Sequence, residues 1–249
     1  MNTSEPIISI QHVKKSFGEN HVLTDFNLDV FDGESVVVLG RSGCGKSVLI
    51  KCIVGLLPYD HGSIKVLGEE ISLLNEKELD HLRAQIGFVF QSSALYDSMT
   101  VGENLAFPLS RHDKSLNEKQ IRMRIMETLE NVGLAHAYEL MPAELSGGMR
   151  KRIGLARALV LRPKIILYDE PTTGLDPITG NEISNLMLEM QRTYHTTSII
   201  ISHDLNCSRL TANRMAMMFN GKNHATGTFE ELKRSVDPNV HSFFEYAHV

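Results

Sequence analysis

The spacing of apolar and polar positions changes character along the 249-residue chain. From Ile7 to Val13 and from His21 to Val30 the two kinds alternate, with turn signals around Phe17–Asn20 and Asp32–Gly33. That pattern predicts an antiparallel start with one face buried. Ser35–Leu39 reads differently: valines 36, 37 and 38 and Leu39 run unbroken into Gly40, as in a parallel strand buried on both faces. Lys164–Tyr168 and Thr197–Ile201 have the same look, and each borders a long helical pattern. The expected fold class is α/β, with a parallel-sheet core and an N-terminal antiparallel β piece.

Between Gln91 and Leu161 the strand signal disappears. Helices are expected at Val101–Leu109, Asn117–Val132 and Gly148–Leu161, interrupted by Pro108 and Pro142. This stretch reads as a helical insertion within the core. Arg214–Phe219 and Asn223–Thr226 return to short strands, and a helical stretch leads into the aromatic tail His241–Tyr246. With no repeat and no linker-like shift in composition, the chain reads as a single domain over 1–249. Its α/β core would be 1–90 and 162–227, its helical subdomain 91–161 and its C-terminal extension 228–249.

Composition narrows the classes of function. The longest apolar stretches, such as Val48–Leu57, fall well short of the ~20 residues that span a bilayer. The first ten residues lack a basic start followed by an apolar segment, so the chain is expected to stay in the compartment where it is made. A formal charge of −5 removes the electrostatic footprint of a nucleic-acid binder. Three cysteines, an odd count without metal-ligand spacing, suggest free thiols, and eleven scattered histidines suggest no structural zinc.

The densest chemistry lies at Gly40-Arg-Ser-Gly-Cys-Gly-Lys-Ser47, which matches G-x-x-x-x-G-K-[ST] after a buried strand and before a helix expected at Lys46–Gly55. Glycines let successive backbone N–H groups wrap phosphate oxygens, and the helix N-terminus adds partial positive charge. Lys46 would reach the β- and γ-phosphates and Ser47 would ligate Mg²⁺. The nucleotide contacts expected are Gly40, Arg41, Ser42, Gly43, Cys44, Gly45, Lys46, Ser47 and Val48. A dinucleotide fingerprint would need glycine where Val48 stands, and no Asn-Lys-x-Asp segment reads guanine, so the base expected is adenine. The plain alternative is a glycine-rich turn with an exposed lysine, but nothing structural demands Gly-Lys-Ser after such a turn.

Ile165-Ile-Leu-Tyr-Asp-Glu170 is a buried strand ending in two acids, at the sheet edge where ligands bind in such folds. Both carboxylates are expected to face the phosphates, Asp169 holding Mg²⁺ and Glu170 polarising the attacking water.

With these, Leu145-Ser-Gly-Gly-Met149, Gln91, Gly174-Leu-Asp176 and His203 make the chain resemble an ABC transporter ATPase from Phe17 to about Phe229. The resemblance implies a P-loop NTPase with a RecA-like core, bound ATP and Mg²⁺, and ATP hydrolysis. It further implies that Ser146, Gly147 and Gly148 bind the γ-phosphate of ATP held by a second copy, with the Asp176 loop alongside. Phe17 would stack on adenine, Gln91 would sense Mg²⁺ or water, and His203 would bond the γ-phosphate and orient the water. The residues support a second anion site at 146–148, since Ser-Gly-Gly precedes a helix yet brings no lysine or metal ligand. Met149 stands where many members have glutamine, and Gly174 where serine or alanine is frequent; neither change removes a catalytic group.

Met149 with Arg150-Lys-Arg152, Gln91–Tyr96, Phe107-Pro-Leu109, Leu140-Met-Pro142, Asp176–Thr179 and the tail Asp237–Phe244 resemble, more narrowly, the ATPase of MCE-type phospholipid transporters. That implies an integral membrane permease whose cytoplasmic helix docks between the core and the helical insertion. It also implies an MCE substrate-binding protein, a small regulatory subunit, phospholipid cargo handled by those partners, and a seat on the cytoplasmic face of the inner membrane. No nucleic-acid partner is expected. Taken alone, the run Arg150–Arg152 reads as a solvated helix face. Two alternatives keep most of the motifs: an importer ATPase for another solute, and a soluble ABC protein acting on DNA or ribosomes. The latter is disfavoured by the single cassette, the absence of heptads and the negative charge.

Overall fold

The computed structural model describes residues 5–245. Along them the elements run β1 (Ile8–Phe17), β2 (Asn20–Val30), β3 (Ser35–Leu39), α1 (Lys46–Ile53), β4 (His61–Val66), β5 (Glu69–Glu70), α2 (Glu76–Arg83) and β6 (Ile86–Val89). Next come α3 (Val101–His112), α4 (Glu118–Asn131), α5 (Gly147–Leu159), β7 (Ile165–Asp169) and α6 (Pro177–Tyr194). The last are β8 (Thr197–Ser202), α7 (Leu205–Thr211), β9 (Arg214–Phe219), β10 (Lys222–Gly227), α8 (Phe229–Lys233) and α9 (Pro238–Glu245). Residues divide into two units, one running up to Asp80 and resuming at Thr197, the other His81–Thr196.

In the first unit the strand order is β5-β4-β1-β2-β10-β9-β3-β8. β1 pairs antiparallel with both β2 and β4, whereas β3 is flanked by β8 and β9, both parallel to it. Every residue of β3 and of β8 is buried, as their unbroken apolar runs predict. β1 continues to Phe17, four residues past the alternation that ends at Val13. The cause is local: His12 sits at φ 53 and the pairing register shifts between Ile10 and Val13 and twice more before Ser16, so a bulge breaks the period of two. β4, β5 and α2 were not legible in the apolar pattern, being short or dominated by charged and small residues. At the far end, Val240 of α9 is fully buried and Phe229 meets Phe244 edge to face at 5.5 Å. Tyr246, the last aromatic of the expected tail, lies outside the described residues.

In the second unit β6 and β7 run parallel, with Ile86 opposite Ile165 and Val89 opposite Tyr168. The region between them is helical, as expected, but Pro108 does not interrupt α3, which continues to His112. Proline there forfeits one i→i−4 bond and strains its own turn. The helix persists because Val101, Leu105 and Leu109 are fully buried and a capping box of Thr100 and Glu103 fixes its start. Pro142 instead opens a single 3₁₀ turn, Pro142–Glu144. Among the described residues no helix is long and apolar enough to cross a membrane.

Candidate nucleotide-binding site

The phosphate loop leaves β3 at Gly40, in the first unit. Space dictates two of its glycines. A Cβ on Gly40 would stand 2.7 Å from Cys44 Sγ and 2.8 Å from the Met218 carbonyl oxygen, and one on Gly45 would stand 2.9 Å from Val22 Cγ1. Conformation dictates Gly43, at φ 80 with open space beside it. Gly45 is the N-cap of α1 and brings no side-chain acceptor, and no acid stands in the first turn. The positive end of the helix is therefore left for an external anion, which is what a triphosphate supplies.

Lys46 is buried, and its Nζ donates to the carbonyls of Gly40 at 2.8 Å and Arg41 at 3.2 Å. The ammonium is thus folded onto the loop that would carry the phosphates. Arg41, Ser42, Gly43 and Ser47 are exposed and Cys44 and Val48 partly so. A cavity of about 400 Å³ opens beside the loop, walled by residues 41–44 with Met218, Phe219 and Asn239. Phe17 is 49% exposed, with Lys15 Nζ 5.3 Å from its ring centroid. It is no core aromatic, and part of its ring is open to stacking.

Parallel pairing places Leu39 opposite Ser202, so Gly40 and His203 emerge from neighbouring strand ends. His203 is exposed. It stands just before Asp204, whose carboxylate caps α7 by accepting from Asn206 N at 2.8 Å and Cys207 N at 3.2 Å. The imidazole is therefore mounted between a buried strand and a capped helix.

In the second unit β7 ends on Asp169, which is buried, and Glu170 turns the chain at φ 52. Thr173 Oγ1 donates to Glu170 Oε2 at 3.1 Å. Because Val89 pairs with Tyr168, the loop carrying Gln91 starts beside the two acids. β6 stops at Val89, so Phe90 separates the strand from Gln91, whose side chain is exposed. The main-chain carbonyl of Gln91 accepts from Lys151 Nζ at 2.6 Å.

Ser146 caps α5, its Oγ accepting from Met149 N at 3.2 Å. A Cβ on Gly148 would lie 3.0 Å from Thr179 Cγ2, whereas one on Gly147 meets nothing nearer than Leu175 Cδ2 at 3.9 Å. Gly148 is fixed by packing, and Gly147 leaves the surface open. These residues share a cavity of about 510 Å³ with Gly174, Leu175 and Asp176. Arg152 also lines it, but its guanidinium is engaged by Glu182 at 3.0 Å. Asp176 caps α6 through Ile178 N and Thr179 N, and its carboxyl is held below the usual range, chiefly by the Thr179 hydroxyl.

Within the first unit the structure thus joins the phosphate loop and His203; within the second it joins Gln91 with Asp169 and Glu170, and Ser146, Gly147 and Gly148 with Asp176. Sequence reasoning missed Lys151 and Arg157. The signal for Lys151 was the helical stripe Lys151, Gly154, Leu155 and Ala158, which marks a packed face rather than a solvated one, and Arg157 borders it three residues past Gly154.

Residues 23–173 match the ABC transporter family. The probable ribonucleotide transport ATP-binding protein mkl of Mycobacterium leprae is 42% identical over 236 residues, covering 95% of this chain and 68% of that one. The Arabidopsis thaliana protein TRIGALACTOSYLDIACYLGLYCEROL 3, chloroplastic, is 36% identical over 97% of this chain and 74% of its own. The methionine import ATP-binding protein MetN of Clostridioides difficile is 37% identical, over 91% of this chain and 70% of its own. The chain therefore spans about two thirds to three quarters of the length of these relatives. Among solved structures, the dimeric post-hydrolysis state of the ATP-binding cassette MJ0796 bound to ADP and Pi superposes with a TM-score of 0.81 at 30% identity, over 89% of this chain and 98% of that one.

Proposed function

The chain belongs to the ABC transporter family, as an ATP-binding and ATP-hydrolysing domain, and from that premise we propose that two copies pair head to tail to power phospholipid movement through a membrane permease. The observation that carries the pairing is the contrast between two helix N-termini. That of α1 follows a glycine loop and holds Lys46. That of α5 offers Ser146 and two glycines on an open cavity whose one arginine is already engaged. The second is an anion site without a cation to spare, suited to complete a phosphate cradle presented by another molecule.

In this reading the loop's N–H groups and Lys46 bind the β- and γ-phosphates, and Phe17 stacks on adenine. Mg²⁺, once bound with ATP, offsets charge on the phosphate oxygens. Ser47, Asp169 and Gln91 would hold it. Among the described residues no three His, Cys, Asp or Glu side chains converge, which suits an ion that draws most of its ligands from phosphate and water. Glu170 polarises the attacking water, and His203 orients it against the γ-phosphate.

An apolar groove of about 440 Å³, lined by Phe88, Phe90, Tyr96, Phe107, Pro108 and Arg157, suits the permease's cytoplasmic helix. Tyr96 and Phe107 stay 45% and 41% exposed there, their rings 5.2 Å apart, as aromatic anchors awaiting a partner would. Through that permease the chain would sit at the inner membrane's cytoplasmic face, with an MCE substrate-binding protein and a small regulatory subunit in the same assembly.

The lipid reading rests on the motif cluster shared with MCE-type ATPases and on the lipid in the Arabidopsis relative's name. The methionine importer relatives favour the second reading, an importer of another solute. Lipid analysis of the chain purified with its permease separates the two. Bound phospholipid, together with ATPase stimulation by it, is expected; an empty complex stimulated by a polar solute would overturn the lipid reading.

A further inference from the structure

The basic run behind the Ser146 cap is not one solvated face. Arg150 is exposed, but Lys151 is only 8% exposed, and its Nζ donates to the Gln91 carbonyl at 2.6 Å. Further along the same helix, Arg157 donates through Nη1 to the Ala94 carbonyl at 2.6 Å and through Nη2 to the Ser93 carbonyl at 3.1 Å. Between them lies Gly154, where a Cβ would stand 3.0 Å from Ser93 Cβ. Spacings of three place these positions toward one side of α5. That side grips residues 91–94 by their main chain.

The gripped loop holds two consecutive non-glycine residues in left-handed conformations, Ser93 at φ 62 and Ala94 at φ 46. Such conformations persist only where surroundings over-determine them, and here α5 does so. Lys151 has an electrostatic connection as well. Burial draws its proton affinity below that of an ordinary lysine, and the charge of Glu170 works against that loss. The ammonium therefore stands where the proposed water-polarising carboxylate feels it, while holding the chain at the residue proposed to sense Mg²⁺.

We infer that Lys151 is a positioning residue for hydrolysis: by fixing the Gln91 carbonyl it sets where the Gln91 side chain starts, and it ties that loop to the helix whose first turn bears Ser146, Gly147 and Gly148. A shift of α5 when its N-terminus engages a phosphate would then move residues 91–94 with it. The inference rests on the proposed roles of Gln91 and Glu170.

The test is steady-state ATP hydrolysis by the full chain carrying Lys151→Met, Lys151→Arg, Gln91→Ala and the Lys151→Met/Gln91→Ala pair. A loss of placement at this level lowers kcat by about tenfold, with the KM for ATP within about twofold of the parent. Lys151→Arg, which keeps the charge and the donor, should restore at least about half of the rate. In the Gln91→Ala background Lys151→Met should cost less than about twofold, because its route of action is already gone. A purely structural lysine would instead multiply the two losses, which overturns the inference, as does a normal kcat in Lys151→Met. If Lys151→Met fails to fold, Lys151→Ala, which also removes the donor but brings less bulk against the loop, takes its place in the same cycle under the same criteria. A normal rate in Gln91→Ala overturns the role of Gln91 and the relay together; a slow Gln91→Ala beside a normal Lys151→Met overturns the relay alone.

Discussion

Leu39 and Ser202 face each other across the parallel pair β3–β8, so the phosphate loop and His203 leave adjacent strand ends at the same level. An imidazole mounted there can meet the outermost phosphate without taking part in gripping the rest. His203→Ala is expected to slow ATP turnover by about 10²-fold, the scale of losing one aligned hydrogen-bonding group. ATP affinity should stay within about threefold of the parent. Calorimetric titration beside a turnover assay checks both; equal losses in affinity and rate would place His203 in ground-state binding instead.

Glu170→Gln keeps the size of the side chain and an acceptor for the Thr173 hydroxyl, which bonds the carboxylate at 3.1 Å. It removes the carboxylate proposed to polarise the attacking water. Turnover should fall by about 10²- to 10⁴-fold while ATP still binds, and dimers should accumulate with ATP on a sizing column. Near-normal turnover would remove Glu170 from the water-activating role.

How much of this was legible beforehand depended on how one-dimensional each signal was. Val36, Val37 and Val38 announce β3 because a strand buried on both faces needs nothing but apolar, β-branched residues. Gly40, Gly45 and Lys46 announce the loop because the spacing G-x-x-x-x-G-K-[ST], set between a buried strand and a helix, is one that no ordinary turn demands. Pro108 misled, since a proline normally ends a helix, and the buried Val101, Leu105 and Leu109 that override it count only once packing is known. His12 hid the second half of β1 by a bulge. Lys151 was hidden because its burial depends on a loop 60 residues away in sequence.

Asn104 holds a nearer stretch of main chain within the second unit. Fully buried, it accepts from Tyr96 N at 2.8 Å and donates to the carbonyls of Tyr96, Met99 and Thr100 at 3.0 to 3.1 Å. Asn104→Ala removes the side-chain partner of Tyr96 N and of the Met99 carbonyl, while the Tyr96 and Thr100 carbonyls keep the main-chain donors Met99 N and Asn104 N. It should destabilise the protein by about 2 to 3 kcal/mol, read as a lower midpoint in urea. A change below about 0.5 kcal/mol would mean that water replaces the amide.

Asp176 gives a pH signature. Its carboxyl is depressed first by the Thr179 hydroxyl at 2.6 Å and then by main-chain N–H groups. A folded pKa below the unfolded one makes its contribution complete above the ordinary aspartate value of about 4 and lost as pH falls through the lower folded value. Thr179→Val removes the largest cause, so the Asp176 pKa should rise toward the ordinary value in a carboxyl-detected NMR titration. An unmoved pKa would assign the depression to the helix terminus alone.

In the proposed dimer the phosphate loop of one copy is completed by Ser146, Gly147 and Gly148 of another. Lys46→Ala removes the loop's cation, and Ser146→Arg blocks the facing cradle, so each variant alone should be inactive. Mixed in equal amounts, they form heterodimers with one intact composite site, joining the loop of the Ser146→Arg chain to the cradle of the Lys46→Ala chain. The mixture is expected to recover ATP hydrolysis, up to about a quarter of the parent rate if chains pair at random and each composite site works independently. A mixture that forms dimers yet stays inactive would contradict it.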